Sequence, residues 1–160
     1  MCIRDSSIVD EAVSDIKSAT ANSKVTLHLW AFSNSLYFFD EPGSIRGIGG
    51  GGTDLIPSLD CALEWASQSK SSRGIIMVTD GYPTSCRNRK STGNPQQDMA
   101  NVLQEARASG IVISILAVGG GNYDEWFGKN NYAHVNETSD VRKALPECAK
   151  VLVEAHLKKN

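Results

Sequence analysis

The sequence of 160 residues predicts an α/β sandwich of three layers, in which helices cover both faces of a mostly parallel central sheet. Helical and strand patterns alternate along the chain, and the inner strands are apolar on both faces, as strands buried between two layers of helices are. A polar turn at residues 33–35 joins two short strand patterns. So short a connection favours an antiparallel hairpin, which adds a short antiparallel strand at the edge of the sheet.

Five segments have the pattern of strands. Residues 74–79 and 111–118 are almost entirely apolar and short, which is typical of buried parallel strands. Residues 25–32 alternate between two faces that both carry large side chains, so this strand is also expected to be covered on both sides. The remaining predicted strands are residues 36–39, after the turn, and residues 132–135.

Helical periodicity appears over residues 7–19, 55–66 and 99–106, and the last of these helices is expected to end at Gly110. Ser139 is expected to cap a short helical turn. Pro146 is expected at the start of the final helix, where proline is tolerated because its missing N–H is not needed.

Composition limits the partners that the chain could bind. A net charge of −2 gives no basis for a nucleic-acid or membrane surface, and no apolar run approaches the length of a membrane span. The four cysteines form no C-x-x-C pair, which is compatible with a reducing cytoplasm, and Cys61 and Cys148 are expected in the core. Residues 1–6, MCIRDS, show no strand pattern and are interpreted as a non-native leader, so that residues 7–160 form a single domain.

The glycine-rich loop at residues 47–52 contains the spacing G-x-G-x-x-G, which is the fingerprint of dinucleotide binding. Two features count against that interpretation. Residues 40–46 intervene between the preceding strand and the glycines, and Asp80, the acid that ends the next strand, stands 28 residues after Gly52 instead of about 20. A nucleotide-binding, Rossmann-like enzyme that uses this loop is therefore kept as the alternative function.

A second interpretation uses the residues that follow the glycines. The segment GGGTDLIPSL at 50–59, followed by a buried strand that ends in VTDG at 78–81, resembles the von Willebrand factor A domain. In that family a metal-ion-dependent adhesion site at the top of the sheet holds a cation, typically Mg²⁺. The resemblance implies that Thr53 and Asp80 are metal ligands and that a partner protein presents an acidic residue to the metal.

Physical chemistry agrees with this assignment, because hydroxyl and carboxylate oxygens are the hard ligands that Mg²⁺ prefers. Glycines before Thr53 would let the backbone approach the ion without a side-chain clash. The alternative for these two residues is purely structural, with Thr53 as a helix N-cap and Asp80 as a turn former.

The family's D-x-S-x-S loop should follow a buried first strand, and here only MCIRDSS precedes the first helix. Asp5 and Ser7 match the start of that motif, but Val9 stands where its second serine should be. The resemblance therefore implies that the central strand between strands 25–32 and 74–79 is missing. Binding of Mg²⁺ or another divalent cation is then expected to be weakened or lost.

The last third of the chain, GIVISILAVGG…YDEWFG…YAHVNETSDVRKALPECAKVL, resembles the A domains of cobaltochelatase-like and nitric-oxide-reductase-activation proteins, which work beside AAA+ ATPases. The resemblance implies a cytoplasmic, non-catalytic protein-interaction module. No Ser-His-Asp order or G-x-S-x-G motif is present. The basic residues Arg87, Arg89 and Lys90 either contact a partner or are simply solvated.

Overall fold

The computed structural model describes residues 6–21, 28–32, 36–39, 55–68, 74–81, 90–129 and 131–157. Helices and strands alternate in these ranges as the sequence predicts. In chain order the elements are α1 (Ser6–Thr20), β1 (Leu29–Phe32), β2 (Leu36–Phe39), α2 (Leu55–Gln68), β3 (Gly74–Thr79), α3 (Pro95–Ala108), β4 (Val112–Val118), α4 (Asp124–Phe127), β5 (Tyr132–Val135), a 3₁₀ turn (Thr138–Asp140) and α5 (Val141–Leu157).

Two sheets are formed by the described strands. β3, β4 and β5 make a parallel sheet in that order, with Met77 opposite Ile115 and Ile115 opposite Tyr132. β1 and β2 form an antiparallel pair in which Leu29 lies opposite Phe39, so the predicted hairpin is confirmed. Within the described ranges, no backbone pairing joins β1 to β3.

β4 lies at the centre of the described core because its side chains alternate between two apolar layers. Ile115 and Ala117 belong to a cluster with α2 and α3, whereas Leu116 and Val118 belong to a cluster with α1 and α5. All four side chains are buried. Each large side chain buried in this way contributes about 1.5–3 kcal/mol to folding, which is why helices cover both faces of this sheet.

The final helix begins earlier than predicted. α5 runs without a break from Val141, so Pro146 lies inside the helix and the prediction that it starts the helix is wrong. Val141 and Leu145 are both buried in the α1–α5 layer, and their burial offsets the backbone hydrogen bond that proline cannot make. Ser139 lies inside the 3₁₀ turn, and Glu137 holds the N-cap position, so the prediction that Ser139 caps this turn is wrong.

α3 shows how local sequence sets a helix start. Asn94 is the N-cap, and its side chain accepts hydrogen bonds from the backbone N–H groups of Gln96 and Gln97. Pro95 follows at the first helical position, where it is preorganised for the helix. One turn later, buried Asp98 accepts three hydrogen bonds of 2.7 Å, from the Ser91 hydroxyl and from the backbone and hydroxyl groups of Thr92.

Two cysteines lie in the described ranges. Cys148 is buried on α5, as predicted, whereas Cys61 on α2 is exposed, so the expectation that it is part of the core is wrong. The cause is its position on the helix, since the neighbours that face the core are Leu59 and Leu63. None of the described helices is long and apolar enough to cross a membrane.

Candidate ligand cleft at the carboxyl edge of the sheet

An open cleft of about 550 Å³ lies where the three parallel strands end. Because the carboxyl ends of parallel strands meet at one edge of a sheet, residues that follow different strands come together there. The cleft is lined by Ile8, Asp80, Val118, Gly119, Asn136, Glu137, Thr138 and Ser139.

Each strand delivers part of this lining. Asp80 follows β3 directly, in a turn where the Thr79 hydroxyl lies 3.3 Å from both the backbone nitrogen and the carbonyl oxygen of Gly81. Val118 ends β4, and the N–H of the next residue, Gly119, donates a 2.8 Å hydrogen bond to the carbonyl of Val135 on β5. This bond continues the pairing of β4 with β5 one step beyond the strands.

The segment after β5 supplies the other wall. Asn136 and Glu137 follow β5, and the 3₁₀ turn Thr138–Asp140 then leads into α5. Glu137 occupies the N-cap position in an extended conformation, yet its side chain makes no capping hydrogen bond. Among the described residues that line the cleft, Asp80 and Glu137 are charged, and none is a lysine, arginine or histidine.

Two further hydrogen bonds hold the end of β4. The hydroxyl of Tyr123 donates to the carbonyl of Val118 at 3.0 Å. His134 Nε2 lies 2.6 Å from the carbonyl oxygen of Gly119. A carbonyl oxygen can only accept, so Nε2 carries the hydrogen in this contact. The contact of His134 with Gly119 thus holds the turn that follows β4 to β5.

The structure locates one of the two predicted metal ligands. Asp80 lies in the cleft, half-buried at the end of β3. Thr53, the glycine loop at residues 47–52 and Asp5 lie outside the described residues. Whether Thr53 approaches Asp80 therefore stays a prediction.

The polar side chains of the cleft fit a magnesium ion in chemistry, because carboxylate, hydroxyl and amide oxygens are the donors that this ion takes. Their number is smaller than a tight site needs. Among the described residues, no group of three or more histidine, cysteine, aspartate or glutamate side chains is arranged to hold a metal ion. Asp80 would need ligands from other parts of the chain, from water or from a partner.

Sequence reasoning assigned only Asp80 of these lining residues to the site and missed the polar residues after β5, namely Asn136, Glu137, Thr138 and Ser139. A signal was available, because a polar run follows the predicted strand 132–135 in the same way that Asp80 follows strand 74–79. Recognising it requires that the two strands run parallel in one sheet, so that their carboxyl ends share an edge.

Two solved structures of proximal thread matrix protein 1 from the mussel byssus are similar to this chain. The first has a TM-score of 0.66 and 17% sequence identity, and the match covers 90% of this chain and 42% of that chain. The second, from another crystal form, has a TM-score of 0.61 and 18% identity, with 90% and 41% covered. This chain therefore spans about two fifths of the length of the structures it matches.

At this level of identity the likeness shows the fold. The chain has an α/β fold of the von Willebrand factor A type, with a mostly parallel sheet between layers of helices. No family model matches the chain, and no curated protein matches it.

Proposed function

We propose that this chain is a non-catalytic protein-interaction module that recognises its partner at the cleft on the carboxyl edge of the sheet. The observation that supports this most directly is the composition of the cleft. Residues from the ends of β3, β4 and β5 line one open space, and the residue singled out by sequence, Asp80, is among them. In open parallel sheets, ligands bind at this edge.

Mg²⁺ or another divalent cation would take part in this recognition. Thr53 and Asp80 would hold the ion, and an acidic residue of the partner would complete its coordination. When bound, the cation supplies positive charge that allows two acidic groups to approach each other. Binding to this chain alone would be weak, since two protein ligands leave most positions of the ion to water.

The wider setting follows from the resemblance of the last third of the chain. We propose that the module works in the cytoplasm, within a chelatase-like or activation complex driven by an AAA+ ATPase. In such a complex this chain would bind and couple, and another subunit would carry the catalytic step. The support is the sequence pattern over residues 110–152, which forms β4, α4, β5, the segment that lines the cleft and most of α5.

The metal proposal can be tested by NMR titration of the ¹⁵N-labelled chain. Mg²⁺ should shift the amide signals of residues 80–81 and 119–120 at millimolar concentrations, and Asp80→Ala should abolish these shifts. Glu125→Ala is the matched control, because Glu125 is an exposed acid on α4 that does not line the cleft. Shifts that persist in Asp80→Ala would contradict the proposed metal site.

The same titration separates the alternative function. Addition of ATP or NAD should leave the spectrum unchanged if the chain is an interaction module. Nucleotide binding that persists in Asp80→Ala but is lost in Gly49→Val would instead assign the glycine loop to nucleotide binding. The chain would then be a nucleotide-binding enzyme of Rossmann-like fold.

A further inference from the structure

We infer that a small pocket between α3 and β4 binds the carboxyl-terminal residue of a partner polypeptide when that residue is aliphatic, such as leucine. This α3–β4 pocket is lined by Leu103, Ala106, Arg107, Ile111, Ile113, Ile115 and Asn131. Ile111 precedes β4 and Asn131 precedes β5, so the pocket lies toward the amino ends of these strands, at the opposite edge of the sheet from the cleft. The inference therefore does not rest on the proposed function.

The floor of the α3–β4 pocket is apolar, because five of its described lining residues are leucine, isoleucine or alanine. Leu103 and Ile113 are only half-buried, although both pack against the core cluster of α2, α3 and β4. An aliphatic side chain that covers them would remove further apolar surface from water, which is favourable.

The size of the pocket fits one aliphatic side chain. Its volume is about 60 Å³. One water-sized group needs about 10–15 Å³ of such space, so the pocket accepts about four to six of them. The side chain of leucine, with four carbon atoms, is of this size.

Arg107 adds a positive charge to the exposed side of the pocket. It lies in the last turn of α3 and is exposed. Its guanidinium makes no ion pair or hydrogen bond with any residue in the described ranges, whereas Glu105, on the same helix, pairs with Lys90 at 3.0 Å. A guanidinium can bind a carboxylate through two parallel hydrogen bonds, so a carboxylate is the anion that complements it.

Asn131 adds a hydrogen-bond acceptor. Its side-chain amide nitrogen donates to the carbonyl of Phe127 at 2.9 Å, which holds the side chain against the end of α4. The amide oxygen has no hydrogen-bond partner in the described part of the chain, and it can accept a backbone N–H. A carboxyl-terminal residue offers such an N–H next to its carboxylate, whereas a free fatty acid does not.

The small volume also favours a polypeptide over a free small molecule. Clefts that enclose a whole small ligand have about 300–1,000 Å³, and the α3–β4 pocket is several times smaller. Arg107 and Asn131 are both exposed, so the chain that precedes the bound residue can leave the pocket into solvent. One terminal residue would be bound, and the rest of the partner would stay outside.

Four ligands test the inference by NMR titration of the ¹⁵N-labelled chain. Acetyl-Gly-Gly-Leu has a free terminal carboxylate, its carboxamide lacks the charge, and acetyl-Gly-Gly-Ala lacks most of the side chain. The fourth, 4-methylpentanoate, keeps the leucine stem and the carboxylate but has no N–H. We expect the leucine acid to shift the amide signals of residues 103–107, 111–113 and 131. It should bind at least about threefold more tightly than each of the other three ligands.

Two variants locate the carboxylate. Arg107→Gln removes the positive charge at the pocket. Lys150→Gln is the matched control, because it removes an exposed charge on α5, which covers the opposite face of β4. The preference for the leucine acid over its carboxamide should disappear in Arg107→Gln and persist in Lys150→Gln. A purely structural role of Arg107 at the end of α3 would change stability and leave this preference intact, which would overturn the inference.

Each remaining outcome also contradicts the inference. Loss of the preference in both variants would show that only the overall charge matters. Equal binding of the leucine acid and its carboxamide would show that the pocket takes any leucine side chain. Equally tight binding of 4-methylpentanoate would assign the pocket to a free carboxylic acid, and an absence of shifts with every ligand would show that it binds none of them. The Mg²⁺ titration of the cleft is a separate measurement, so the two proposals stand or fail independently.

Discussion

Tyr123 donates a hydrogen bond of 3.0 Å from its phenolic hydroxyl to the backbone carbonyl of Val118. Tyr123 is 2% exposed, and its ring lies parallel to that of Phe127, with ring centres 6.0 Å apart. Tyr132 contacts it edge-on at 5.9 Å. The hydrogen bond between Tyr123 and Val118 connects the segment after β4 to the last residue of β4. Because Val118 lines the cleft, this bond helps to fix the cleft wall.

Tyr123→Phe should lower the free energy of unfolding by about 1–2 kcal/mol, because the hydrogen bond is buried and its loss leaves a carbonyl with one partner fewer. Tyr132→Phe is the control, since the Tyr132 hydroxyl donates at 3.0 Å to Asp124 at an exposed position and should matter less. Urea denaturation of the three proteins measures the difference. A larger loss in Tyr132→Phe would contradict the role given to Tyr123.

Gly119→Ala should destabilise the chain by about 1–2 kcal/mol through backbone strain alone. Gly119 has φ of 91°, a conformation that residues with a Cβ rarely adopt, and a Cβ built there meets no atom within 4 Å. Gly120 has equally open space and no positive φ. Gly120→Ala should therefore change stability by less than about 0.5 kcal/mol. Thermal unfolding of both variants tests the comparison, and equal effects would exclude strain as the cause.

Arg142→Ala should weaken the contact between α1 and α5 only slightly. Arg142 donates to Glu11 at 2.7 Å and to Asp15 at 3.1 Å, but all three side chains are more than half exposed. Exposed ion pairs contribute up to about 1 kcal/mol and are screened by salt. We expect the loss to vanish in about 1 M NaCl, whereas Lys143→Ala, on the same exposed turn, should show no salt-dependent loss. A loss that persists in high salt would point to packing by the arginine stem instead.

Cys148 should make stability depend on alkaline pH. Burial raises the pKa of its thiol above the ordinary value of 9.0, an effect that a hydrogen bond with Ser114 partly offsets and that the nearby Glu147 charge reinforces. In the unfolded chain the thiol ionises above about pH 9, while in the folded chain it stays neutral to higher pH. The stability that this group contributes is therefore complete below that value and is lost as the pH rises through the folded pKa.

The measurement is the difference in unfolding free energy between the natural chain and Cys148→Ala, taken from pH 7.5 to 10.5. This difference should be constant near neutral pH and should shrink above about pH 9. Other groups that titrate in this range are present in both proteins and cancel in the difference. A difference that stays constant over the whole range would contradict burial as the cause of the raised pKa.

Asp10→Asn should raise stability at pH 7. Asp10 lies on α1 with 6% of its surface exposed, and neither of its carboxylate oxygens has a hydrogen-bond partner among the described residues. A carboxyl group without a hydrogen-bond partner is costlier to bury than an amide of the same size, so the substitution should gain about 1 kcal/mol. Glu154→Gln, on an exposed position of α5, should have no effect. A loss of stability in Asp10→Asn would show that the carboxylate has an interaction partner in solution.

Local sequence patterns were sufficient to predict an element where a single signal is strong. Strands 36–39 and 74–79 were predicted with the bounds that the structure has, because short apolar runs between turn residues have few alternatives. Local rules failed where burial competes with propensity. Pro146 is a helix-start signal in isolation, but the burial of Val141 and Leu145 extends α5 by five residues before it. Exposed Cys61 shows the same limit, since an apolar residue near a helical stripe need not face the core.

Side chains close together in the chain were enough to predict the alternation of helices and strands, the parallel character of the inner sheet and the candidate residue at the end of β3. The surroundings of Asp80, in contrast, depend on how the strands are arranged in space. Glu137 stands 57 positions further along the chain, and it reaches the same cleft because β3, β4 and β5 run parallel and end at one edge. That arrangement results from hydrogen bonding between strands and burial between helices, which no local pattern contains.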